Sequence, residues 1–212
     1  TMLTVLLLSF EICVLEYYKK TNKTWTLTFL VLISFLEINL HSAIWFLHFV
    51  FMLPYIVPPI KNPLVSFKEA TFKRLPLILT MIPMAIVGLL NPYGLEGIMY
   101  IVYSFGDKLT SIGISELNAW TLKSMCGIFY IITVFVILFL CFKSKRKEQS
   151  IDACAFYLFC GTTIMGAMYI RNFVYFLFGV GIIFIELIKY VDFTKFNQWL
   201  EKQNKYSFLY MY

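Results

Sequence analysis

Residues 25–60 read WTLTFLVLISFLEINLHSAIWFLHFVFMLPYIVPPI, an apolar run that carries Glu37, Asn39 and His41 near its middle and His48 further on. A membrane-crossing helix needs about 20 apolar residues. The run is therefore too long for one ordinary crossing and barely long enough for two. Two crossings joined at 39-NLH-41 are one solution, and a single long tilted helix is the other. The choice decides the fold, because it sets the side on which every later loop falls.

Basic residues separate the two readings. Lys19, Lys20 and Lys23 form one cluster; Lys61, Lys68, Lys73 and Arg74 form a second. Lys143, Lys145, Arg146 and Lys147 form a third, and Lys189, Lys195, Lys202 and Lys205 a fourth. Cytoplasmic loops of membrane proteins are enriched in Lys and Arg. With a break at 39–41, apolar runs at about 2–18, 25–40, 42–60, 75–91, 122–142, 153–170 and 172–189 define seven spans, and all four clusters fall on one side. The other side receives only Lys108, Lys123 and Arg171. A single crossing over 25–60 would put the first two clusters on opposite faces.

Composition agrees with a membrane-embedded, all-α helical bundle. Of 212 residues, 60% are hydrophobic and only 14% charged, and the mean hydropathy is +0.76, far from ordinary globular usage. The net charge of +6 comes from clusters between apolar runs, so it reports topology and not nucleic-acid binding. Cys13, Cys126, Cys141, Cys154 and Cys160 lack the paired spacing of a zinc or redox motif and read as small hydrophobes. Met2 to Leu15 has no basic region before it and does not read as a signal peptide. Thr1 in place of Met points to a piece of a longer protein. Residues 1–190 are expected to form the bundle and 191–212 an interfacial cytoplasmic tail. Segment 95–105 is too short to span, so it is expected to lie in the interface or re-enter the membrane.

This topology gathers polar residues at the outer ends of spans: Glu37, Asn39 and His41; Asn91, Pro92 and Tyr93; Glu116 and Asn118; Arg171 and Asn172. Polar groups are costly in hydrocarbon and usually face a bundle interior or a water-filled cavity. Each has a plainer reading. Glu37 and His41, four apart, can hydrogen-bond to each other on a continuous helix, and 91-NPYG-94 can be a simple helix stop. A metal site of Glu37, His41 and His48 would need an open hydrophilic pocket. Arg171 needs either snorkelling or an anionic partner: Glu116, Glu37 or a lipid phosphate. Glu16 and Glu186 are close enough to the inner face to snorkel, whereas Glu11 is mid-span and needs a partner within the bundle. HExxH, GxSxG and phosphate-loop motifs are absent from the sequence.

The order of short motifs resembles a group of bacterial polytopic proteins related to the GT-C glycosyltransferases. N-x-H (Asn39, His41), N-P-Y-G (Asn91 to Gly94), I-x-E (Ile114 to Glu116) and R-N (Arg171, Asn172) follow one another over about residues 25–190. Glu37 and Leu117 stand where that pattern usually has Trp. The resemblance implies a bacterial plasma-membrane transferase that takes a sugar from a polyprenyl-phosphate carrier at the outer face. It implies a main catalytic carboxylate in a loop preceding Thr1, His41 or Glu116 assisting acceptor activation, and Asn39, Asn91, Tyr93, Arg171 and Asn172 contacting the substrate. A divalent metal is left open as a cofactor. The expected partners are the lipid-linked sugar and the bilayer, not nucleic acid. A transporter or flippase, with polar groups near the midplane, and a non-catalytic assembly subunit with a dry, closed outer end are the alternatives.

Overall fold

The computed structural model describes residues 2–104 and 125–190. The expectations for Glu116, Asn118 and the tail 191–212 lie outside the described residues. The chain is all-α in class. Helix α1 (Met2–Thr21) is followed by a 3-10 turn, Thr24–Leu27, that leads into α2 (Thr28–Leu40). Then come α3 (Ser42–Ile56), α4 (Leu75–Val87), α5 (Gly94–Ser104), α6 (Met125–Arg146), α7 (Ala153–Met168) and α8 (Phe173–Ile188). A 3-10 turn, Ile170–Asn172, joins the last two.

Seven of these helices coincide with the seven apolar runs, and segment 95–105 forms α5. Two stretches, Met125–Arg146 and Ile170–Ile188, are long and apolar enough to cross a membrane by length and composition. Thr24–Leu40, Ser42–Ile56, Leu75–Val87 and Ala153–Met168 are apolar but shorter.

The long run breaks at His41, whose backbone (φ −154°, ψ 69°) is not helical. No Gly or Pro forces this break. His41 N–H still donates to Glu37 O at 2.7 Å while its carbonyl already accepts from Ile44 N–H at 3.1 Å, so one residue makes the whole turn. Tertiary bonds hold the reversed pair in place. Trp45 Nε1 of α3 donates to Ser34 Oγ of α2 at 2.7 Å, and Ser34 Oγ donates in turn to Met84 O of α4 at 3.0 Å. The single-helix reading of 25–60 therefore fails.

Two apolar cores build the bundle. Leu15, Leu30, Met52, Leu77 and Met84 join α1 to α4, and Ile137, Phe159, Phe176 and Ile183 join α6, α7 and α8. Leu8, Ile12, Phe51, Leu158 and Tyr175 weld the halves together. Close approach of α7 and α8 depends on Gly179. A Cβ there would lie 3.0 Å from Phe159 Cα and 3.2 Å from Leu158 O, and would collide with the Thr162 hydroxyl. Small residues at such crossings let helix backbones meet.

The described residues of the basic clusters meet at one end of the bundle. Asn22, in the left-handed region at φ 54°, ends α1 as Asn does at C-caps; its side chain binds Thr71 O at 3.2 Å and Lys73 N at 2.9 Å. Lys145 Nζ donates to Asn62 O and Pro63 O. A two-residue parallel pair, β1 (Ser66–Phe67) with β2 (Ser150–Ile151), ties the same loops together. His41 and Arg171 lie at the other end.

Candidate functional site

The helices place a line of polar side chains inside the first half of the bundle. Thr4 and Glu11 are seven apart on α1, as are His41 and His48 along α3 and the residue before it, so each pair returns to one face after two turns. Glu37 projects from the last turn of α2 between them. His48 Nδ1 and Glu11 Oε2 are directly hydrogen-bonded. His48 Nε2 lies 3.8 Å from Glu37 Oε2. Glu37 Oε1 accepts from Thr4 Oγ1 at 2.7 Å, and Thr4 Oγ1 lies 3.2 Å from His41 Nδ1. Thr4, Glu11, Glu37 and His48 are all buried, none more than 2% exposed.

Glu37 and His41 thus meet through the Thr4 hydroxyl and not directly, as the i,i+4 spacing had implied. Glu11, which needed a partner, has one in His48, which is thereby a member of the polar line. Among the described residues, no group of three or more His, Cys, Asp or Glu side chains is placed to hold a metal ion. The Glu37, His41 and His48 set fails that test because His48 Nδ1 is engaged by Glu11 and Thr4 stands between the other two.

Arg171 sits half-buried in the 3-10 turn between α7 and α8. It makes no hydrogen bond or ion pair with any described residue, Glu37 included. Its charge is felt at His41. Burial, aided by the Arg171 guanidinium, pulls the His41 imidazole below its ordinary range against the opposing pull of Glu37. His41 is thus held toward its neutral form, which can accept a proton.

The other expected contact residues are occupied locally. Asn39 is exposed and donates to Phe35 O, one turn back, at 2.8 Å. Asn91 closes the turn after α4, donating to Gly88 O and Gly94 O and accepting from Tyr93 N–H, each at 2.8 Å; this is the helix-stop reading of 91-NPYG-94. Tyr93 is 74% exposed. Asn172 donates to Met165 O at 2.9 Å, fastening the turn that carries Arg171. Sequence reasoning gave Thr4 no role, although its spacing from Glu11 equals that of His41 from His48.

The opposite end holds a cavity of about 530 Å³ lined by charged groups, including Lys19, Lys68, Arg74, Asp152 and Glu186. Two ion-pair networks form part of its wall. Lys19 binds Glu16 at 2.5 Å and Asp152 at 3.0 Å, and Glu186 binds both Lys68 and Lys189. Asp152 also caps α7, accepting from Cys154 N–H at 2.8 Å and Ala155 N–H at 3.2 Å. Burial opposes its charge, but Lys19 and these two N–H groups hold its carboxyl below the usual range.

Cys141 and Cys154 are buried, Cys160 is half-buried, and Cys13 and Cys126 are exposed; all five are free thiols. Comparison with family models, curated proteins and solved structures returns no significant match.

Proposed function

We propose that this chain is a multi-pass membrane protein whose seven apolar helices cross a bilayer, with the basic end cytoplasmic and the His41–Arg171 end outside. On this reading it is a GT-C-like protein that handles a polyprenyl-phosphate-linked sugar. Arg171 carries the proposal: a half-buried guanidinium at a helix junction, beside His41, without an anionic partner among the described residues. A planar five-donor fork suits a phosphate, and a cation placed there stabilises a departing lipid phosphate. Neutral His41 is the nearby group able to accept a proton from an acceptor hydroxyl. The convergence of the described basic residues, Lys19, Lys68, Arg74, Lys145 and Lys189 among them, on one end supports the assigned sidedness.

The test is binding of a short-chain polyprenyl phosphate to the full chain in lipid nanodiscs. Arg171→Ala should weaken binding on the order of ten- to a hundredfold, the loss of a charge-assisted contact. Unchanged affinity would remove Arg171 from the site.

A transporter is the second reading, favoured by the burial of Glu11 and His48 within the bundle. It requires water to reach both from either end. Cysteine labelling at positions flanking His48 from both sides of sealed vesicles would support it, and labelling from one side alone would reject it.

A further inference from the structure

The polar line contains an unfilled position deeper in the bundle than Arg171. Glu37 Oε2 and His48 Nε2 face each other at 3.8 Å, and neither has a hydrogen-bond partner among the described residues. Both side chains are at most 1% exposed. With His48 neutral and its one N–H given to Glu11, the three side chains carry two negative charges. Burying unpartnered polar atoms and unbalanced charge is costly. A single proton between Nε2 and Oε2 removes one of those charges and gives both atoms a bond. The separation exceeds a normal hydrogen bond by less than about 1 Å, within reach of a side-chain adjustment.

The groups facing this position come from every element around it. Glu11 and Thr4 belong to α1, Glu37 to α2, and His48 to α3; His41 stands at the turn between α2 and α3. Tyr175 of α8 stacks edge-on against Phe51, and both Tyr175 and His41 sense the charges of Glu37 and Arg171. Where α2 meets α4, the Ser34 hydroxyl is spent on Met84 O. From α7, the Thr162 hydroxyl is spent on Leu158 O and Phe159 O. No lysine is ion-paired with Glu11 or Glu37 among the described residues. Among the described residues, His48 is therefore the one base set between the two carboxylates.

We propose that the gap between His48 Nε2 and Glu37 Oε2 is a proton-binding site, filled and emptied from the His41 end through the hydroxyl of Thr4. The route uses groups that both give and take protons. Protonated His41 donates from Nδ1 to Thr4 Oγ1, which lies 3.2 Å away. As that N–H breaks and a new O–H forms, the original Thr4 O–H breaks and its proton passes to Glu37 Oε1 at 2.7 Å. Rotation of the Glu37 carboxyl about its Cγ–Cδ bond then carries that same O–H to the side facing His48 Nε2, where the proton is held between the two atoms. Each transfer conserves the proton count, and the reverse sequence empties the site. The sequence makes His41 an entry group that is cleared after each uptake. This function does not depend on the lipid-phosphate reading, since Arg171 takes no part in the route.

The chain contains only two histidines, so 15N-histidine labelling of the full chain in nanodiscs gives two ring systems to follow. The wild-type spectrum should show a proton on His48 Nε2 that is lost as pH is raised between about 5 and about 9. Glu37→Gln should abolish that titration. Exchange of the same proton should slow at least roughly tenfold in Thr4→Val, which keeps the shape without the hydroxyl, and stay near the wild-type rate in Thr4→Ser. Arg171→Ala should leave the Nε2 proton in place. A wild-type His48 with no Nε2 proton across that range would overturn the site without any substitution. An unchanged exchange rate in Thr4→Val would overturn the route.

Discussion

Thr4 Oγ1 lies 2.7 Å from Glu37 Oε1, and both side chains are buried. The bond joins α1 to the last turn of α2 next to the chain reversal. A hydroxyl that donates to a carboxylate away from water contributes more than a neutral pair does. Thr4→Val should lower unfolding stability in detergent by about 1.5–3 kcal/mol, and Thr4→Ser should recover most of it. Equal stability of the valine variant would mean that Glu37 finds another donor.

His41 should titrate below its ordinary value of 6.5, because burial and Arg171 both disfavour its charged form. The sign follows directly: the folded state binds fewer protons than the unfolded one between the lowered value and 6.5. Stability should therefore be undiminished above 6.5 and decline as pH falls through that window. Arg171→Ala removes one of the depressing influences, so the His41 transition should move upward in a 15N titration. A downward move would exclude electrostatic contact between the two residues.

At the basic end, Asp152 does two things that substitution separates. Asp152→Ala removes both the cap of α7 and the pair with Lys19, and should cost about 1–2 kcal/mol. Asp152→Asn keeps a good cap and should cost less, isolating the ion pair. Because the folded carboxyl titrates below its ordinary 3.8, its stabilisation is present above that value and is lost as pH falls through the depressed one. The difference between wild type and Asp152→Asn should shrink correspondingly in acid unfolding measurements.

Gly179→Ala should destabilise the α7–α8 pair by about 1–3 kcal/mol, the range for overpacking a tight contact. Its new Cβ would collide with the Thr162 hydroxyl and press on the backbone at Phe159. Adding Thr162→Ala should recover part of the loss but not all, since the backbone contacts remain. Thermal unfolding of the single and double variants gives the coupling.

The helix positions were readable because apolar length and basic clusters are properties of short stretches. The break at His41 was readable for a less direct reason: no local residue demands it, but the expectation that distant lysines share one side does. Thr4 was not readable. A threonine in an apolar helix normally spends its hydroxyl on its own backbone, as Thr80 does on Pro76 O, and only the packing of α1 against α2 aims it at Glu37. Asn39 and Asn91 show the converse. Their residue types invited a shared site, yet short-range geometry offered each amide nearby backbone partners. Local hydrogen bonds compete well for Asn side chains, so motif residues of this type mark turns as readily as ligand contacts.

The one-residue joint at His41 has a mechanical consequence. With no slack between α2 and α3, and with Ser34 bonded to both Trp45 and Met84, α2, α3 and α4 must swing as one block. The other joint at this end is the Tyr169–Asn172 stretch, where the backbone leaves the helical register before α8 begins and the Asn172 amide ties the turn back to Met165 O of α7. Arg171 rides on that tied turn, so the cation is carried at a position fixed to the end of α7.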